Sequence, residues 1–205
     1  MKIGDIIELG QYTIETPSPE KGKPVSPIPW RVIDSTDESV LVISEYGLDA
    51  KPFHEGSATF PNWRDSSVRK WLNELFLKKA FTEEEQARIL LTNVDNSLVQ
   101  QDHVHPMTCL KNTKDYIFLL SAKEANIYFP TVASARAMPT GYLQWRHEHD
   151  SKAYPLDDTN GRCDWLLRSP GPHIYSVMYV SGYGSIDITS ANRAHSIRPA
   201  MWIKK

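Results

Sequence analysis

Between Asp65 and Phe76 the apolar positions fall at Val68, Trp71, Leu72, Leu75 and Phe76. This is the i, i+3, i+4, i+7, i+8 spacing of one helical stripe. The spacing predicts a helix from about Asp65, with Asp65 or Ser66 as the cap that accepts from first-turn amides. Thr82 and Glu85 stand three apart, as do Ser121 and Glu124. Both pairs have capping-box chemistry, in which each side chain binds the other residue's backbone amide. They predict a second helix from Thr82 to about Leu90 and a third from Ala122 to Phe129, ended by Pro130.

Elsewhere the pattern is that of strands. Trp30–Asp34 and Val40–Ser44 are rich in β-formers and are joined by a polar turn, which predicts a hairpin. Ile3–Ile14 reads as two short strands with bends at Gly4 and Gly10, and Tyr116–Leu120 as a buried strand. Beyond Pro130 only short β-like runs occur, at Trp165–Leu167, Ser176–Ser181, Ser185–Thr189 and Ala200–Ile203. Gly182 and Gly184 supply a hairpin turn between the second and third of these. Residues 16–29 hold five prolines, which fix φ and remove amide donors, so this segment is expected as a surface loop. No composition break or internal repeat divides the chain. The expected architecture is α+β in a single domain, 1–205. Helices fill its first two thirds, and short antiparallel strands lie in a loop-rich carboxyl third.

Charge and composition narrow the possible partners. The chain's 23 Lys and Arg against 25 Asp and Glu leave no basic excess for phosphate backbones, so nucleic acid is not expected. No stretch approaches the roughly 20 apolar residues of a membrane span. No cationic start precedes an apolar run of signal-peptide length, so a cytoplasmic location is expected. Six tryptophans and nine tyrosines are conspicuous, and such residues either fill a core or furnish a recognition surface.

Candidate chemistry is sparse. His103 and His105, and likewise His147 and His149 with Asp150 beside them, are i, i+2 pairs. On a strand each pair would present two imidazoles to one ion, which admits a metal-dependent protein or enzyme as an alternative. Cys163, flanked by Arg162 and near Arg168, is either an activated thiol or a small core residue. P-loop, H-E-x-x-H, EF-hand and G-x-S-x-G motifs are absent, so no cofactor is expected.

The carboxyl third interleaves Tyr, His, Ser, Asn and Asp with a strand pattern. If Val177, Val180, Ile186 and Ile188 enter the core, then Tyr175, Tyr179, Tyr183, Asp187, Asn192 and His195 are candidates for exposed positions, with His173 at the rim. Tyr, Ser, Gly and Asn mixtures give rigid contact area and adaptable hydrogen bonding at low entropic cost. Tyr175 and Tyr179 would serve equally well as core residues with satisfied hydroxyls.

Several motifs now line up in order: P-I-P-W-R-V-I-D (27 to 34), S-V-R-K-W-L-N-E-L-F (67 to 76), D-Y-I-F-L-L-S-A-K-E-A (115 to 125), C-D-W-L-L-R-S-P-G (163 to 171) and S-I-R-P-A-M-W-I (196 to 203). Over nearly the whole chain this resembles an uncharacterised bacterial domain-of-unknown-function family, DUF6273-like, seen in Gram-positive bacteria and phage-related genes. The W-L-L-R-S-P-G run and closing R-P-A also resemble the carboxyl half of C-type-lectin-like domains. Those relatives are of the formylglycine-generating-enzyme type and the retroelement-diversified variable proteins. That resemblance implies a C-type-lectin-like fold, a binding region within 172–196, and an Arg198 bonded internally. The calcium motifs E-P-N, Q-P-D and W-N-D are missing, as is a close reactive cysteine pair. The expectation is a non-enzymatic recognition module for a protein or glycan ligand, or else a structural or oligomerising component of a phage or surface assembly.

Overall fold

The computed structural model describes residues 1–18, 24–101, 104–156 and 161–205. Its strands are β1 (Ile6–Tyr12), β2 (Ser26–Ser35), β3 (Ser39–Ser44), β4 (Asp49–Pro52), β5 (Thr92–Val94), β6 (Thr113–Asp115), β7 (Trp165–Pro170), β8 (Ser176–Val180), β9 (Ile186–Ser190), β10 (Ala194–Ile197) and β11 (Ala200–Lys204). The helices are α1 (Ser67–Lys70), α2 (Leu77–Ala80), α3 (Glu83–Gln86), α4 (Ala122–Tyr128), α5 (Val132–Ala135) and α6 (Gly141–His149). A π-helical segment, Trp71–Phe76, joins α1 to α2.

This corrects the expected fold class. The molecule is mostly β, with 34% of the described residues in strands and bridges and 21% helical, and its sheets curl into a half-barrel. It is not the α+β, C-type-lectin-like layout. The helical stripes exist, but most last only about a turn, and α6 lies in the part of the chain where only strands are expected. Among the described residues no helix is long and apolar enough to cross a membrane.

One sheet runs β1-β2-β3-β11, and a second runs β4-β10-β7-β8-β9. The β2–β3 hairpin forms as its pattern predicts, with Val32 opposite Val42. In place of two short amino-terminal strands there is one strand with a bulge between Glu8 and Gln11. Gly10 supplies the bulge at φ +68°, where a Cβ would lie 2.7 Å from the Ala80 carbonyl oxygen. The two sheets share a corner, because β3 pairs with β11 while the following β4 pairs with the preceding β10. Ser44 N–H donates to the Pro199 carbonyl at 2.9 Å, and Arg198 Nε donates to the Ser44 carbonyl at 3.1 Å. Of the expected buried strand Tyr116–Leu120, Ile117–Leu120 is buried but Tyr116 is exposed, and the segment forms no strand: it meets the sheets through a bridge from Phe118 to Ala200 and through Arg168 N–H, which donates to the Leu120 carbonyl at 2.9 Å.

Ser66 caps α1, and both predicted capping boxes are present, at Thr82 with Glu85 and at Ser121 with Glu124. The π segment alters the predicted stripe. Leu77 N–H donates to the Leu72 carbonyl five residues back, which widens the turn and shifts the buried face to Leu72, Phe76 and Leu77. Leu75 is consequently left 65% exposed. Trp30, Trp63 and Trp165 are buried in one continuous core that runs from Leu9 to Ile203. Each indole N–H is satisfied, by the Leu9 carbonyl, the Asp115 carboxylate and the Ala135 carbonyl respectively. Half the tryptophans are therefore core residues, each worth about 3–5 kcal/mol against Ala.

Candidate functional site

The β8–β9 hairpin forms one edge of the second sheet, with Met178 opposite Ile188 and Tyr179 opposite Asp187. Gly184 turns it at φ +93°. Where β8 begins, the loop 171–176 is held in place by bonds from three directions. Gly171 N–H donates to the Ser176 carbonyl at 2.8 Å, and His173 N–H donates to Ser176 Oγ at 2.9 Å. Phe60 N–H donates to the Ile174 carbonyl at 2.7 Å. Phe60 has φ +53°, a left-handed conformation that costs a bulky residue about 1–3 kcal/mol and persists only where the surroundings impose it. Its ring lies against that of His105, with centroids 4.6 Å apart and the planes tilted by 33°.

These elements enclose a pocket of about 680 Å³ lined by His105, His173, Ile174, Tyr175, Ile188 and Thr189 among others. Ile174, Tyr175 and Ile188 are each more than 40% exposed. They form an apolar wall open to solvent. On its other side Tyr175 borders a smaller depression of about 260 Å³ with Ser190 and Asn192.

The structure divides the residues singled out from the sequence. His173, Tyr175 and Asn192 come together around these two hollows. Asp187 is exposed on β9, where its Oδ1 accepts from Ile188 N–H at 2.8 Å. Tyr183 is 64% exposed but sits at the hairpin tip, where its carbonyl accepts from Arg136 Nε. Tyr183 thus stands one strand length, roughly 17 Å or more, from Tyr175. Tyr179 is half-buried, its ring 4.5 Å from that of His195.

His195 is a correction: it is 1% exposed and cannot contact a ligand from the surface. Its Nδ1 lies 2.5 Å from Asp164 Oδ2, and its Nε2 lies 2.9 Å from Thr189 Oγ1. A carboxylate at Nδ1 selects the tautomer with the proton there and leaves Nε2 to accept from the Thr189 hydroxyl. The pair ties β10 to β9 and to the start of β7, behind the pocket wall. Alternation cannot reveal this, because a polar residue facing a buried partner reads the same as one facing water. Arg198 is bonded internally, and burial pulls its guanidinium down to about 10.

The histidine pairs are also placed differently. His147 and His149 lie on helix α6, not a strand, and two residues on a helix diverge by about 200°. Their Nδ1 atoms are at the Tyr154 and Trp145 carbonyls, at 2.7 and 2.8 Å. Asp150 follows as the exposed C-cap. His103 lies outside the described residues, and His105 Nδ1 accepts from Met107 N–H. Among the described residues no three His, Cys, Asp or Glu side chains converge where a metal ion would sit. Cys163 is buried, and its burial pushes the thiol up to about 11, the opposite of activation.

Sequence reasoning missed His105, Ile174, Ile188 and Thr189 as pocket residues. Alternation allows Ile188 a core position, whereas the edge position of β9 leaves it open.

A family model described as "Domain of unknown function (DUF6273)" matches residues 37–205. No curated protein and no solved structure matches the chain.

Proposed function

From the premise that the chain belongs to the domain-of-unknown-function family DUF6273, we propose that it is a non-enzymatic recognition module. Its binding face is the pocket at the start of the β8–β9 hairpin. The observation that carries this reading is the open apolar wall of Ile174, Tyr175 and Ile188, held rigid by the strained Phe60 and the 171–176 loop. A protein ligand is favoured over a glycan, because sugars need closely spaced polar partners and this lining is mainly apolar. An apolar side chain of the partner fills the pocket, His173 and Asn192 orient the flanking chain by hydrogen bonds, and the Tyr175 ring divides the two hollows. Small, well-desolvated anchors of this kind carry most of an interface's energy.

Selection from a displayed random-peptide library tests the reading. Peptides with one large apolar residue should be enriched on the native protein. Their affinity should fall at least about tenfold on Tyr175→Ala with Ile188→Ser, a loss of about 1.4 kcal/mol or more. Both positions are exposed, so the melting temperature should stay nearly unchanged. Peptides that bind the double variant equally would refute the assignment. Concentration-dependent light scattering that the same variant abolishes would point instead to a second copy of this chain as the occupant.

A further inference from the structure

A second concavity, of about 390 Å³, lies between the end of β1, β4, the π segment, α2 and α6, and shares no lining residue with the first. Three cations and one carboxylate line it: Lys51, Lys79, Arg146 and Asp49. Asp49 already has partners. Tyr12 O–H donates to its Oδ2 at 2.9 Å, and Lys51 Nζ is 3.6 Å from the same oxygen while lying 4.8 Å over the Trp71 ring. The other two cations rest on aromatic faces. Lys79 Nζ lies 5.7 Å from the Tyr12 ring centroid, and the Arg146 guanidinium lies 3.7 Å over Tyr154 and 5.5 Å over Tyr142. One Arg146 N–H donates to Tyr142 Oη at 2.6 Å.

Among the described residues neither Lys79 nor Arg146 is paired with a carboxylate. Arg146 has five donors and commits one of them here. The concavity therefore holds two net positive charges, and Arg146 commits only one of its N–H groups, to Tyr142. Aromatic rings back both charges on one side, which leaves their other side open to an incoming anion. Trp71, Leu75 and Phe76 all come from the π segment, and such widened turns are frequent at functional sites. The insertion that exposes Leu75 also places it and Trp71 in this wall.

We propose that this concavity binds a small molecule bearing an oxyanion, phosphate or carboxylate, held between Lys79 and Arg146 with its body against Trp71 and Leu75. The volume lies within the range of small-molecule sites, so a metabolite-sized ligand fits where a polymer chain does not. Arg146 offers its planar fork to two oxygens at once, and Lys79 supplies a point charge.

The test is a titration of the 15N-labelled full chain with pyrophosphate and, separately, with citrate, at matched ionic strength. Saturable binding of at least one anion is expected, with the largest shifts at the Trp71 indole N–H and the backbone amides around Lys79 and Arg146. A preference between the two anions identifies the oxyanion class. Lys79→Gln and Arg146→Gln should each weaken binding about tenfold, or about 1.4 kcal/mol. Lys79→Gln alters an exposed side chain and should leave the melting temperature unchanged, while Arg146→Lys keeps the charge and should retain part of the affinity. The proposal is overturned if the native chain binds neither anion saturably. It is also overturned if shifts fall outside this concavity, or if the double Gln variant binds as the native protein does. None of these outcomes bears on the peptide-binding face.

Discussion

Replacing Arg168 by Met is expected to destabilise the fold by about 4–6 kcal/mol. Arg168 is fully buried, and its guanidinium bonds to four residues. Nε donates to Asn96 Oδ1 at 3.2 Å, Nη1 to the Leu119 carbonyl at 2.9 Å, and Nη2 to the Asp95 carbonyl at 2.9 Å. Both terminal nitrogens also engage the Glu124 carboxylate, with Nη2 at 2.7 Å from Oε1. Met keeps the apolar stem and removes the fork. Two carbonyls and an amide oxygen then lose a donor, at about 1–3 kcal/mol for each acceptor left buried without another partner. Breaking a buried ion pair from one side costs about 3–5 kcal/mol. The sum is discounted because the Glu124 side chain is 22% exposed and regains some water. For a domain of this size about 2–4 °C accompanies each kcal/mol, so the melting temperature should fall by about 8–24 °C. Urea unfolding followed by tryptophan fluorescence measures the change, with an unaltered denaturant slope showing that stability alone moved. Glu124→Gln tests the pair from the other side: Gln at this position preserves the capping box of α4, but the fully buried Arg168 charge loses its carboxylate, so about 3–5 kcal/mol is expected. A loss below about 2 kcal/mol for Arg168→Met, or below about 1 kcal/mol for Glu124→Gln, would refute the reasoning.

Three further outcomes follow from other buried groups. His195→Ala strips Asp164 of its partner, and Asp164 Oδ1 has no other bond, so a loss of about 3–5 kcal/mol in urea titration is expected; a loss below about 1 kcal/mol would show the pair to be dispensable. Gly184→Ala places a Cβ 1.9 Å from the Val132 carbonyl oxygen at φ +93°, and a melt within a few degrees of native would contradict the observed turn. The Cys163 thiol, raised from 9.0 to about 11 in the folded state, keeps its proton when the unfolded chain has released it. Its contribution is therefore whole below pH 9 and lost as pH climbs to about 11, by about 2–3 kcal/mol, and Cys163→Ala should remove that part of the alkaline decline. Tyr12 and Tyr128, raised by burial and by their bonds to Asp49 and Asp34, extend the decline to higher pH in both proteins.

The sequence by itself determined what is settled within a few residues. Ser66, Thr82 and Ser121 cap helices because the amides they bind lie three positions on. The β2–β3 and β8–β9 hairpins form because each turn sits between the strands it joins. Only the tertiary structure decided the rest. Lys204 lies opposite Ser39, and β10 runs parallel to β7, pairings that no local pattern encodes. The strand state of DAKP and TKD is imposed by such partners, since neither segment is rich in β-formers. The same holds for exposure. Ile188 is open because β9 is an edge, His195 is closed because Asp164 and Thr189 meet it, and His147 and His149 diverge because their segment is helical. A residue's type states which partners it accepts; whether it meets protein or water depends on strands brought alongside from far along the chain.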